Sequence, residues 1–160
     1  MDAPAVTIDL PGTPVGKGRP RFRIVNTKDG RQFGNVYTDA KTAGYEKALQ
    51  QLAAIMMKRR SPLEGALRIR VTATFRPPES WSNRKADRAI GGEFRPTARP
   101  DFDNLAKMID ALKGIVWADD SQVVDAHVLK FYGAQASLKV EVWEMAPCLL
   151  DAGAREFAQA

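Results

Sequence analysis

Asp101, Asp103, Asp110, Asp119 and Asp120 crowd into one short stretch, with Lys107 among them, in a chain that is otherwise basic. Carboxylate oxygens are the hard donors that Mg²⁺ prefers, and one or two of them with water and a substrate phosphate commonly complete its octahedron. Two or three of these carboxylates brought together would hold Mg²⁺ (or Mn²⁺) and a water for attack on a phosphodiester, the ion lowering the water's pKa. Lys107 could then stabilise the added negative charge of the transition state or orient the nucleophile. An acidic pocket on a basic surface is what a metal-dependent enzyme acting on a polyanion requires, so the stretch points to a nuclease.

Each residue also has a simpler use. Asp101 or Asp103 can cap a helix, Asp103 and Lys107 can form an exposed i,i+4 pair, and Asp119-Asp120 can be turn residues. One helix needs only one cap, so the set carries more weight than any member. Other motifs fail. The run Gly12-Thr-Pro-Val-Gly16-Lys17-Gly18 falls one residue short of a P-loop and lacks its Ser/Thr, and Leu105-Ala106 stand where an EF-hand loop needs an oxygen ligand and a glycine.

The net charge of +5 is unevenly spread. Segment 16–35 holds Lys17, Arg19, Arg21, Arg23, Lys28 and Arg31 against Asp29 alone, and segment 76–100 holds Arg76, Arg84, Lys85, Arg88, Arg95 and Arg99 against three acids. Positive charge concentrated on two loop-like regions fits a phosphate backbone better than generic solubility. Lys17, Arg19, Arg21, Arg23, Arg84, Lys85, Arg88, Arg95 and Arg99 are the candidate DNA contacts. Trp81 and Phe94 lie among them, placed either to stack on bases or to anchor the loop. Cys148 and His127 are each the sole residue of their type, which excludes an intrachain disulfide, thiolate metal sites and His-rich zinc chemistry. No stretch reads as a signal peptide or membrane span, so the expected location is the cytoplasm.

These residues need elements to hold them. Val6–Leu10 reads as a strand, Phe22–Val25 and Gln32–Tyr37 as a hairpin turned at Asp29-Gly30, and Leu67–Phe75 as a half-buried strand with strict alternation. Thr38 or Asp39 can cap a helix reaching about Arg59, with Tyr45, Leu49, Leu52 and Met56 on its core face. Residues 76–100 show no sustained period and read as a long loop. A second helix spans roughly Phe102 to Lys113 and stops at Gly114, with Leu105, Met108, Ile109 and Leu112 inward and Asp103, Lys107 and Asp110 at i, i+4 and i+7 on one face. Strands over Val123–Phe131 and Ser137–Met145 follow, and a short helix can occupy the tail. The fold class is α/β: one small domain over 1–145 with a mixed sheet and two principal helices, then a tail over 146–160. Helix, turn and strand can carry Asp120 back toward the start of the second helix.

Arg99-Pro-Asp-Phe-Asp-Asn-Leu-Ala-Lys107, Asp110-Ala-Leu and Trp117-Ala-Asp-Asp-Ser-Gln-Val-Val resemble the RusA family of Holliday junction resolvases. Gly16-Lys-Gly-Arg-Pro-Arg-Phe, Val36-Tyr-Thr and Tyr45-Glu46 add to the likeness, which covers most of residues 12–131. The resemblance implies a homodimeric, Mg²⁺-dependent α/β endonuclease, often carried by phages or prophages, that nicks four-way DNA junctions symmetrically. By position Asp101, Asp103 and Asp120 match the metal-binding aspartates, Asp119 the neighbouring acid in a supporting role, and Lys107 the catalytic lysine. Lys130 stands where the family often has a basic residue, either facing the site or lying at a strand edge. The long 76–100 segment and the richer basic N-terminal motif depart from the best-known member. Two other readings stay open: a less selective nuclease for flaps or other branched DNA, and a non-catalytic DNA-binding protein whose aspartates serve as caps.

Overall fold

Alternation in Leu67–Phe75 sets the frame: Leu67, Ile69, Val71 and Ala73 are buried while Arg68 and Arg70 point the other way. In the computed structural model, which describes residues 3–19, 21–26, 29 and 31–146, this strand (β4) is central. The sheet order is β1-β6-β4-β5, with β1 at Val6–Pro11, β5 at Val123–Tyr132 and β6 at Ser137–Glu144. β6 pairs antiparallel with both β1 and β4, whereas β4 and β5 run parallel, so the sheet is mixed. A parallel pair needs a long crossover, and residues 76–122 supply it.

That crossover carries two helices. α2 spans Asn83–Ile90, capped by Ser82, whose side chain accepts from the Lys85 amide. The expectation of an unbroken loop over 76–100 is therefore corrected. α3 spans Phe102–Met108 and runs on into a 3-10 turn at Ile109–Leu112. The earlier helix, α1, spans Ala40–Met57 with Asp39 as its N-cap, the carboxylate accepting from the Thr42 amide at 3.1 Å. α1 and α3 pack on one face of the sheet, where Leu49, Ala53, Leu105, Met108, Leu112 and Trp117 join the strand residues in a single core. The opposite face is polar: Arg68 meets Asp125 at 2.6 Å and Arg70 lies over the Trp143 ring at 5.3 Å.

The hairpin of β2 (Arg21–Asn26) and β3 (Gln32–Tyr37) forms its own two-stranded sheet, with Phe22, Ile24 and Val36 exposed. The core face of α1 is rotated slightly from expectation: Leu49, Ala53 and Met57 are buried, Tyr45 and Leu52 partly so, and Met56 is exposed. Burial pushes the Tyr45 phenol up to about 12 against a small opposing pull from the Val15 main chain, and its oxygen finds no full hydrogen bond. No helix among the described residues is long and apolar enough to cross a membrane. The expected tail helix lies outside the described residues.

Candidate active site

Leu105 and Met108, both fully buried, fix the roll of α3 on the sheet and turn Asp103 and Lys107 outward. The Lys107 ammonium lies 3.1 Å from the Asp103 carboxylate, and both side chains are about half exposed. Lys107 holds the Asp103 carboxyl below the usual carboxylate range. An acid in the first turn and a lysine in the last also suit the helix dipole. Asp101 occupies the N-cap position in extended backbone, yet its side chain makes no capping hydrogen bond. The simpler use expected of it is not taken up.

The segment leading to Asp101 is held by two sets of contacts. Lys130, on β5, donates to the carbonyls of Ala98 at 2.6 Å and Pro100 at 3.0 Å. Gly16 packs so closely on the segment that a β-carbon there would lie 2.7 Å from the Pro100 Cβ and 3.0 Å from that of Asn104. The Lys17 amide donates to the Asn104 carbonyl at 2.9 Å. Beside these contacts opens a cleft of about 710 Å³ with Lys17, Arg19, Lys41, Arg99, Asp101 and Asn104 in its wall. The Lys17 ammonium also sits 3.4 Å from Asp110 and 3.5 Å from Glu46. Asp110 thus joins the cleft's cations.

Asp119 and Asp120 lie at the other end of the helix. Lys113, just past the 3-10 turn, reaches Asp119 at 2.5 Å and Asp120 at 3.9 Å. With the Ser121 amide and hydroxyl, Lys113 holds the Asp119 carboxyl well below its ordinary range, and Asp119 in return raises the Lys113 pKa. Asp119 caps the 3-10 turn Asp120–Gln122 in a capping box, so it does serve as a turn residue. Asp120 accepts from the indole of buried Trp117 at 2.9 Å. Gln122 ties the turn down, its oxygen accepting from the Ala118 and Asp119 amides and its nitrogen donating to the Leu63 and Gly65 carbonyls.

The expected return of Asp120 to the start of the helix is therefore corrected. Residues 102–112 make a helical run about 18 Å long, at ~1.5 Å per α-helical and ~2.0 Å per 3-10 residue, with Asp101 and Asp103 at its start and Asp119 and Asp120 beyond its end. The cause is the parallel pairing: Val123 must begin β5 opposite Leu67, at the start of β4. A helix crossing back between parallel strands delivers the chain to that end. Among the described residues no group of three or more His, Cys, Asp or Glu is close enough to hold one ion.

The basic candidates divide. Arg19, Arg23, Arg84 and Arg99 are exposed, and the Arg21 side chain lies outside the described part. Arg88 is tied to Glu93 at 2.6 Å, which raises its own pKa and lowers that of Glu93. Arg88 also lies over Phe94, Lys85 over Trp81 at 4.1 Å, and Arg95 over Phe131 at 4.0 Å. Trp81 packs on Tyr132, ring centres 5.4 Å apart, so Trp81 and Phe94 anchor the crossover on β5. Sequence reasoning missed Lys41, Lys113, Asn104 and the locking role of Gln122. Lys41 carried a signal: a cation in the first turn of α1 opposes the helix dipole, which suggests a use other than helix stability.

Fold and site define a class: a one-domain, mixed-sheet α/β protein that presents a helix of carboxylates and a lysine beside a cationic cleft. The chain belongs to the RusA endodeoxyribonuclease family, whose model matches residues 11–143. It is also similar to the Bacillus subtilis protein YqaN, itself uncharacterized: 37% identical over 139 residues, covering 84% of this chain and 92% of that one.

Proposed function

We propose that the chain is a Mg²⁺-dependent endodeoxyribonuclease that resolves four-way DNA junctions by paired, symmetric nicks, acting in the cytoplasm of a bacterial or phage-infected cell. The observation that carries this reading is Asp101 at the α3 N-terminus, making no capping hydrogen bond, two residues before the Asp103–Lys107 pair and in the wall of a cationic cleft. The donor chemistry fits Mg²⁺, which characteristically takes one or two carboxylates and leaves its other positions to water and substrate phosphate. Asp101 and Asp103 would hold it. Bound there, the ion would neutralise phosphate charge and make a water a better nucleophile.

The chain's own groups do the rest. Lys17, Arg19, Lys41 and Arg99 draw the sugar-phosphate backbone into the cleft without reading sequence. Lys107 keeps the Asp103 carboxylate ionised and oriented, and its exposed ammonium can meet charge that builds on the phosphoryl oxygens. Asp120, with Asp119 in support, completes the metal set in an assembly of two chains. Their position beyond the far end of the helical run favours a homodimer in which a two-fold axis sets the Asp119-Asp120 end of one copy against the Asp101-Asp103 end of the other. Two equivalent sites would also suit paired cuts.

A second reading draws on the lysine partners of Asp103 and Asp119 and the capping by Asp119: these acids are satisfied without a metal, as in a junction-binding protein that cuts nothing. Single-turnover cleavage of a labelled junction by the wild type and Asp101→Asn separates the two. A nuclease loses cutting in the variant while binding in EDTA is kept. A binding protein shows no Mg²⁺-dependent product from either chain.

A further inference from the structure

Lys130 is a β-strand lysine whose ammonium meets no carboxylate among the described residues. It instead donates to two main-chain carbonyls, Ala98 and Pro100, which come two residues apart just before Asp101. Carbonyl oxygens bonded to a charged donor make stronger hydrogen bonds than neutral pairs, and both bonds run between a sheet strand and an irregular segment. The ammonium also lies 5.8 Å from the centre of the Phe75 ring, on the neighbouring strand. Gly16 also packs on the segment and admits no β-carbon against Pro100 and Asn104. Further along, the Leu105 amide bonds the Asp101 carbonyl at 3.1 Å. Asp101 is thus held by its backbone on both sides, while its carboxylate makes no capping hydrogen bond.

We infer that Lys130 is a positioning residue: by bracing the carbonyls of Ala98 and Pro100 against the sheet it fixes where the Asp101 carboxylate is presented. This rests on the reading of Asp101 as part of the cleavage site. The lysine touches neither Asp101 nor Asp103 and acts through the main chain alone. A shift of about 1 Å at such a group can cost on the order of a hundredfold in rate.

The test uses the full chain and the variants Lys130→Arg, Lys130→Gln and Lys130→Met, which carry progressively fewer donors. Hydrogen exchange of the 101–105 amides and of β4 is followed without metal, alongside thermal unfolding and single-turnover junction cleavage across a Mg²⁺ titration. In Lys130→Met the 101–105 amides are expected to exchange about tenfold faster with β4 unchanged, and cleavage to fall roughly tenfold to a hundredfold with a higher Mg²⁺ half-saturation. Junction binding in EDTA stays within about twofold. Lys130→Arg recovers most of the rate and Lys130→Gln part of it, in order of donor number rather than of melting temperature. Should Lys130→Met fail to fold, the Arg and Gln variants carry the same comparison.

Unchanged exchange overturns the inference, and so does faster exchange with wild-type cleavage. Slower cleavage with unchanged exchange would make Lys130 a substrate contact, which also overturns it. If the wild type cuts nothing, or Asp101→Asn cuts as the wild type does, the proposed function fails. The exchange result then still decides whether the brace exists.

Discussion

Lys107 pairs with Asp103, and that pairing explains why an aspartate on an exposed helix face stays charged under acidic conditions. With a folded pKa below its unfolded value of about 3.9, Asp103 favours folding above that value. The contribution is lost as pH falls through the lower, folded value. Between pH 8 and 6, then, Asp103 remains ionised, and the Mg²⁺ half-saturation of cleavage should not change on its account; a Mg²⁺ titration at each pH checks this. Lys107→Met should lower the single-turnover rate by about 10²–10³ while leaving junction binding nearly intact. Tyr45 offers a separate stability test, because its buried hydroxyl lacks a full hydrogen bond. Replacing a poorly satisfied polar group by a shape match is close to neutral, so Tyr45→Phe should melt at or slightly above the wild-type temperature. Between pH 10 and about 12, as its raised phenol titrates, the wild type should lose stability relative to Tyr45→Phe.

Gly16 and the crossover show what elements contribute. The glycine lets the β1–β2 connection lie against Pro100 and Asn104, both rigid at their β-carbons. Gly16→Ala should therefore destabilise by about 1–3 kcal/mol, read by chemical denaturation, and reduce cleavage beyond the loss of folded protein. At this scale much was legible from the residues. Alternation named β4, the Asp-Gly turn named the hairpin, and the D-x-D-N-L-x-K string placed acids and lysine on one helix. α2 was legible as well and was missed: Ser82 can cap it and Ala86, Ala89 and Ile90 fall at i, i+3 and i+4 on one face, but its eight residues sit among prolines and glycines that read as loop. The place of Asp120 escaped for a different reason: it follows from β5 pairing parallel to β4, a long-range choice that no local spacing encodes. The Lys130 brace is of the same kind, since its targets are carbonyls and any sequence supplies those.

For the whole molecule, charge decides how DNA is met. Exposed Arg23, on the β2–β3 hairpin, should contribute a phosphate contact. Arg23→Ala should weaken junction binding alike for all sequences and reduce the salt slope by about 1. Arg88, tied to Glu93 and seated over Phe94, should contribute less, and Arg88→Ala should leave the slope nearly unchanged. A titration of binding against salt compares them. The measurement that bears most directly on junction resolution sets a synthetic four-way junction beside a linear duplex of the same sequence, each incubated with Mg²⁺ or EDTA, for the wild type and Asp103→Asn. Paired nicks confined to the junction, dependent on Mg²⁺ and absent in Asp103→Asn, are the predicted result. Tight junction binding without cutting, or equal cutting of both substrates, would contradict it.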